Sequence, residues 1–329
     1  MQKRVAASAM LTFFLCCVTT ARADVDWFTT LWHNDVFLDK DGGGYTNGLY
    51  FSWFDLSESS DEDFKPALLT RPLNSWLMPE FDGQLQVNEF TFGQAMMTPK
   101  NIKKAVPDED DAPYGGLLMF RSAYTLVDER ISDTLAVTVG IVGPSSGAEE
   151  AQRAIHKLVG ANEPQGWDYQ IKDEPVGQIK RTRVWRYGGG DHEGVGSDLL
   201  LIGSGSLGNL GSSLGGAVLV RYGRGLESSF GTAGQVIGRV SNPMAIDSGW
   251  NVYTGVGADY VYNQIFVSGG GLRSGQSADL RHDQYAFYAG ASYAWKRFSL
   301  TLSYVNNSKL DKNSSARQEF GALKLGWKL

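Results

Sequence analysis

The feature that most constrains this chain is a period of two. In residues 297–304, Phe298, Leu300, Leu302 and Tyr304 alternate with Ser299, Thr301 and Ser303. In residues 322–329, Leu323, Leu325, Trp327 and Leu329 alternate with Ala322, Lys324, Gly326 and Lys328. The odd positions of 285–295 are Tyr, Phe, Ala, Ala, Tyr and Trp, with the large aromatics at the two ends. A strand turns successive side chains to opposite faces. Such segments therefore suit a wall with lipid on one face and a wet or packed interior on the other, ringed by aromatics at the membrane interfaces. Forty glycines, 12% aromatic residues and no long apolar run beyond the N-terminus point the same way, because a barrel hides its hydrophobicity in alternation.

The first residues set the compartment. Lys3 and Arg4 form a basic start, 9–19 is an uncharged apolar run too short to span a bilayer as a helix, and Ala21-Arg22-Ala23 has the small-x-small pattern of a cleavage site. Residues 1–23 read as a signal peptide and 24–329 as one outer-membrane β-barrel domain. Both cysteines, Cys16 and Cys17, fall in the discarded segment, so the mature chain has no thiol chemistry. Losing Lys3, Arg4 and Arg22 takes the net charge from −6 to −9, which argues against a nucleic-acid partner.

Twelve strands are expected, at 26–37, 45–56, 83–97, 114–128, 130–142, 177–188, 194–206, 211–222, 249–264, 282–295, 297–307 and 317–328. An even number closes a single-chain antiparallel transmembrane barrel with both ends in the periplasm. The competing all-β fold is a soluble sandwich. If the first strand runs outward, the turns at 128–130 and near Lys296 are periplasmic and suitably tight. Segments 57–82 and 223–247 also fall on the periplasmic side but are long. Either they fold against the barrel end or a strand pair lies hidden in them.

Three chemically loaded segments share the external side. Asn34-Asp35 ends the first strand and Tyr45-Thr46-Asn47-Gly48 opens the second. Residues 98–104 carry Lys100, Lys103 and Lys104, followed by the acidic run 108–111. Residues 147–160 read as a short helix between strands 5 and 6, closed by Gly160. On that helix Gln152 and His156 share a face, and Ile155 and Leu158 offer an apolar stripe to pack on the barrel. A histidine beside a barrel mouth suits acid–base work. Each segment also has a plain reading: a strand end, lysines on lipid headgroups, a solvated histidine. His33, His192 and His282 show no partner pattern. A hard cation held by Asp and carbonyl oxygens would leave little trace in the sequence.

Taken in order, Asn34-Asp35, Tyr45-Thr46-Asn47-Gly48, Thr98-Pro99, Asp110-Asp111-Ala112-Pro113-Tyr114-Gly115-Gly116, Gly143-Pro144, Gln152 with His156, Gly166-Trp167-Asp168-Tyr169-Gln170 and Glu174-Pro175 form a set. That set, over roughly 26–180, resembles the outer-membrane lipid A 3'-O-deacylases. The resemblance implies a twelve-stranded barrel and a calcium-dependent esterase that removes the 3' acyloxyacyl chains of lipid A in the outer leaflet. It carries Asn34, Asp35, Thr46, Gln152 and His156 over as catalytic residues, and Glu150, Lys103 and Lys104 as substrate-binding ones. Asp35 and Glu163 become candidate ligands of Ca2+.

On that footing His156 would be the base that takes a proton from the attacking water, and Ca2+ near Asp35 would stabilise the oxyanion. Gln152 and Glu150 would orient His156 or the substrate. Asn34 would supply an oxygen ligand or a donor at the carbonyl. Thr46 would complete the site by hydrogen bonding, and Lys103 and Lys104 would meet phosphate. The partners expected are lipid A or lipopolysaccharide and the outer membrane, with the protein acting as a monomer. A phospholipase of the same membrane, and a non-enzymatic pore or adhesin barrel, remain as alternatives.

Overall fold

A computed structural model describes residues 25–34, 44–58, 61, 63–78, 85–99, 101–108, 111–188, 194–231, 233, 249–268, 279–312 and 318–329. The expected signal peptide lies outside the described residues. The strands are β1 (Trp27–Asn34), β2 (Gly44–Glu58), β3 (Leu85–Thr98), β4 (Gly115–Val127), β5 (Ile131–Val142), β6 (Glu174–Gly188), β7 (Val195–Gly208), β8 (Gly211–Arg224), β9 (Gly249–Gln264), β10 (Asp283–Trp295), β11 (Phe298–Asn307) and β12 (Gln318–Lys328). Each pairs antiparallel with its neighbour in sequence, and β1 closes on β12 from Trp27↔Lys328 to Asn34↔Gly321. The fold is therefore the expected closed twelve-stranded barrel, and a two-layer sandwich is excluded. Every expected strand is present within a few residues of its expected bounds, although the stretch 35–37 assigned to the first lies outside the described residues. No described helix is long and apolar enough to cross a membrane.

The alternation sorts the side chains as the sequence pattern requires. On β11, Phe298 and Leu302 are exposed while Ser299 and Thr301 are buried. Aromatics gather at the rim that carries both chain ends, here the near rim. Phe28 lies 5.6 Å from Trp53 and 5.5 Å from Trp327, and Trp295 lies 5.6 Å from Tyr293 and 6.0 Å from Phe298.

The lumen carries buried charges, and side chains from connecting segments enter it at both ends. Arg121 donates to Glu89 at 2.6 Å, Thr91 donates to the same carboxylate at 2.8 Å, and Lys324 is buried nearby on β12. At the near mouth residues 225–231 turn inward. Arg221 holds Asp198 and donates to the Leu226 carbonyl at 2.7 Å, Ser132 donates to the Gly231 carbonyl at 2.8 Å, and buried Phe230 lies under Arg186. At the far mouth Ile265, Phe266 and Val267 join the same apolar cluster as Ile171, Leu280 and Leu310.

The two long near-rim connections thus fold against the barrel rather than hiding a strand pair among the described residues. Of the second, the described residues 225–231 enter the near mouth. The first, described over 63–78 with helix α1 (Arg71–Leu77), lies on the outer wall, where Phe64, Leu73 and Met78 pack on Tyr124, Leu135 and Ile179. Tight turns close 128–130, where the Asp128 N–H donates to the Ile131 carbonyl at 2.8 Å, and 296–297, where Lys296 has φ of 53°.

Candidate active site

Helix α2 (Ala148–Val159) follows β5, as expected, and docks at the far rim. Strand register shows that it sits outside the barrel. Residues paired across strands share a face, so Asn34↔Asn47, Asn47↔Met96 and Met96↔Gly116 define one row across β1 to β4. That row faces outward, because its neighbours His33, Gly48 and Ala95 face the lumen. Met96 packs with Ala148 and Ala151 of the helix and with Tyr114 and Trp167. At Gly116 a Cβ would fall 2.1 Å from Ser146 Oγ and 2.3 Å from Ala148 Cβ, so only glycine lets the helix come this close.

Several further contacts clamp the helix. Gln94, also outward on β3, donates to the Ser146 carbonyl at 2.7 Å. Asp173 accepts from the Ser145 N–H and hydroxyl, both at 2.7 Å. Tyr114 and Trp167 are wholly buried, their ring centroids 4.9 Å apart. A Cβ on Gly166 would fall 2.6 Å from the Tyr114 ring. Burial raises the Tyr114 phenol above its usual value, with Asp111 adding to the shift and the Gly166 backbone and Arg153 opposing it. The family-like segments 110–116 and 166–170 are thus largely scaffold for the helix. Trp167 and Gly116 are the positions whose roles the sequence reading missed, although both lie in quoted motifs.

The helix turns a different face to the wall from the one its composition suggests. Ile155 and Leu158 do not pack on the barrel; they are 41% and 86% exposed. The floor at Gly116 admits only small residues, so Ala148, Ala151 and Gln152 face the wall and the large apolar pair turns outward.

Gln152 is 3% exposed, and its Oε1 accepts from Trp167 Nε1 at 2.8 Å. One turn later, His156 is half-buried and its Nδ1 lies 2.5 Å from the Asn162 carbonyl. A carbonyl oxygen only accepts, so in the neutral ring Nδ1 carries the proton and Nε2 the lone pair. Gly160, with φ of 71°, ends the helix in the left-handed conformation and donates its N–H to the His156 carbonyl.

Of the other candidates, Asn34 ends β1 in the outward row, about 10 Å from Met96 at the usual spacing between strands. Beside it Asn47 accepts from Trp32 Nε1 at 3.0 Å. Thr46 sits at a β-bulge between Tyr45 and Asn47. Asp35 lies outside the described residues. Glu150 is exposed in the first turn of α2. Lys103 and Lys104 are exposed in the connection that meets the helix end, where Gln165 donates from its backbone to the Ile102 carbonyl at 2.9 Å; Lys104 pairs with Asp108 at 2.7 Å. Glu163, a candidate metal ligand, pairs with Arg153, which also holds Glu149. His33 is buried in the lumen between Tyr50 and Phe320, His282 stacks on Tyr260, and His192 lies outside the described residues.

Among the described residues no three His, Cys, Asp or Glu side chains converge as a metal cluster. Around the row the donors in sequence are oxygens: the Asn34 amide, the Asp35 carboxylate and the Thr46 hydroxyl. That chemistry suits a hard cation such as Ca2+, which also takes backbone carbonyls and water.

Residues 6–329 match the family model described as outer membrane protein LpxR. Among solved structures, LpxR from Salmonella typhimurium matches with a TM-score of 0.73 at 16% identity, covering 92% of this chain and 100% of that one. At that identity the likeness speaks for the fold alone. The β domain of the Bordetella autotransporter BrkA has a TM-score of 0.42 at 10% identity, covering 92% and 98%, too remote to argue from. No curated protein matches the sequence.

Proposed function

Because the chain belongs to the family of outer membrane protein LpxR, and so sits in the bacterial outer membrane, we propose that it is a lipid A 3'-O-deacylase, hydrolysing the 3'-linked ester in the outer leaflet. The observation that carries this reading is the docking of α2 on the outside of the wall at the far rim. Both chain ends belong in the periplasm, which puts the far rim at the outer leaflet. A histidine held there, beside exposed Ile155 and Leu158, meets a lipid from the side. A soluble substrate arriving through the lumen would instead meet Phe266 at one mouth and Phe230 at the other.

The chemistry follows from the side chains. His156 Nε2 takes a proton from water as the water oxygen attacks the ester carbonyl carbon. When the tetrahedral intermediate collapses, the imidazolium returns that proton to the departing sugar oxygen. The products are a free acyloxyacyl acid and a 3-hydroxyl on the sugar. The Asn162 carbonyl fixes the tautomer, and Trp167 fixes Gln152, which orients His156 or the substrate. Asn34 and Thr46 offer polar groups at the carbonyl. Lys103 and Lys104 meet lipid A phosphate as point charges, and Glu150 lines the helix start. Asp35 and nearby oxygens would hold Ca2+, which when bound supplies Lewis-acid stabilisation of the oxyanion. Glu163 is left out of that ligand set because Arg153 holds it.

The test is mass spectrometry of lipid A after incubation with detergent-purified protein, in Ca2+ and in chelator. The expected result is loss of the 3' acyloxyacyl mass in Ca2+ only. Unchanged lipid A together with hydrolysed phospholipid micelles would convert the reading to a phospholipase. No hydrolysis at all, with conductance in planar bilayers, would convert it to a pore.

A further inference from the structure

The outer wall carries a second covered patch at the opposite rim. On β5 and β6, Asp133 pairs with Arg183 and Leu135 with Arg181, all on the outward face. Asp133 is wholly buried beneath the two guanidiniums. Arg181 grips it with Nε at 3.0 Å and Nη2 at 2.7 Å, and Arg183 with Nε at 2.7 Å and also with Nη2. One carboxylate shared by two guanidiniums leaves one net positive charge. Among the described residues neither Nη1 has a protein acceptor, and the two side chains remain 40% and 28% exposed.

The surroundings set the depth. Asp133 stands two residues from the start of β5, just above the near-rim turn, and Trp185 is the next outward residue of β6 below Arg183. On one side the arm, described over 63–78, borders the patch through Leu135, Leu126 and Ile179. The arm is pinned by Asn88, whose Oδ1 accepts from the Ala67 N–H at 2.7 Å and whose Nδ2 donates to the Lys65 carbonyl at 3.0 Å. It leaves Trp76 86% and Leu68 61% exposed, the placement of an interfacial anchor. On the other side the outward neighbours of Arg183 and Arg181 on β7 are Gly203 and Gly205, which project no side chain of their own; the Trp185 ring borders Gly203 and Leu214 borders Gly205.

We propose that Arg181 and Arg183 bind the phosphate of an anionic glycerophospholipid in the inner leaflet, its acyl chain lying along the glycine-lined wall of β7. An arginine on the lipid face is tolerated near the interface and costly at mid-depth, so a charged pair at headgroup level calls for an anion. A guanidinium fork matches a phosphate better than an ammonium does. The excess positive charge belongs to the wall: in sequence the arm carries Asp61, Glu62 and Asp63 against Lys65 and Arg71, so it adds no positive charge of its own. The proposal rests on membrane placement with both chain ends in the periplasm, and not on the deacylase reading.

The test is native mass spectrometry of the detergent-purified full chain, offered phosphatidylglycerol and phosphatidylethanolamine in equal amounts. The wild type is expected to retain phosphatidylglycerol about tenfold over phosphatidylethanolamine, the scale of one charge-assisted contact. R183Q leaves a neutral Arg181–Asp133 pair and should abolish the preference while keeping the heat-modifiable gel shift of a folded barrel. D133N/R181Q/R183Q, which removes every charge at the patch, should do the same. Equal retention of both lipids by the wild type, or undiminished phosphatidylglycerol retention by a folded R183Q, overturns the proposal. So does displacement of phosphatidylglycerol by lipopolysaccharide, which would place the lipid at the other rim.

Discussion

Two sectors of the same wall follow the same alternating pattern and do opposite things. Across β8 to β11 the outward residues stand bare to the bilayer: Val220, Val256, Phe287 and Leu302 are all exposed. Across the far ends of β3 and β4 both faces are buried. Ala95, Met96, Met97 and Thr98 are covered in succession, and so are Gly115, Gly116 and Leu117. A strand buried on both faces at one end has something lying on its outer side. Here that is α2, and with it comes the only helix-borne histidine among the described residues. The lesson is that function on such a barrel sits where the wall stops being plain, and it can be tested by disturbing the covered sector and the bare one in parallel.

The largest contrast is expected from His156→Ala. General acid–base catalysis contributes roughly 10²–10⁴-fold, so deacylation should fall by about that factor while the heat-modifiable gel shift persists. Val256→Ala, in the bare sector, should leave activity unchanged. Full activity in His156→Ala would remove the histidine from the mechanism and reduce the covered sector to packing.

Next comes Gly116→Val. It touches no proposed catalytic group, yet its branches would occupy the space of Ser146 and Ala148. The helix must lift, and a shift of about 1 Å in a positioned group costs on the order of 10²-fold in rate. The same variant should make the 144–160 segment more sensitive to protease in detergent. A variant with normal rates and normal proteolysis would mean that the helix is not held by this floor.

How much of this was legible in the sequence differs between the sectors for a physical reason. Period two reports on backbone pleat, so the strands, their inward and outward faces and their order were readable from residues such as 298–304. The helix was readable too, since Gly160 marks its end. Its orientation was not, because that depends on what lies beneath it. Ile155 and Leu158 look like a packing face by composition, but the glycine floor selects Ala148 and Ala151, and an apolar pair turned toward lipid carries no penalty. Nor could sequence decide that 63–78 lies on the outer wall while 225–231 enters the mouth. Both are long, mixed segments, and the choice rests on contacts such as Asn88 with Ala67 and Arg221 with Leu226. The ion pair of Glu163 with Arg153 crosses ten residues and appears only in three dimensions.

Trp167→Phe sharpens the account of the covered sector without dismantling it. The ring stays and the donor to Gln152 goes. A hydrogen bond of this kind is worth about 1 kcal/mol net, so a five- to tenfold fall in rate is expected if Gln152 must be held, with little change in stability. An unchanged rate would mean that Gln152 is held without this hydrogen bond, and that the buried indole matters only for its shape.

The smallest effect expected is also the most local. At Gly160 a Cβ would meet nothing within 4 Å, so Gly160→Ala adds no clash and only penalises φ of 71°. The left-handed conformation costs an alanine roughly 1 kcal/mol, which frays the last turn of α2 and loosens the loop that carries the Asn162 carbonyl. Since that carbonyl sets which His156 nitrogen is basic, the rate should fall a few-fold at unchanged barrel stability. Gly177 is the matched control on the barrel wall. Its φ is not positive, and a Cβ there would meet only the Thr138 carbonyl, at 3.9 Å, so Gly177→Ala should be silent. If both glycines behave alike, the last turn of the helix does not control the Asn162 contact that sets the His156 tautomer.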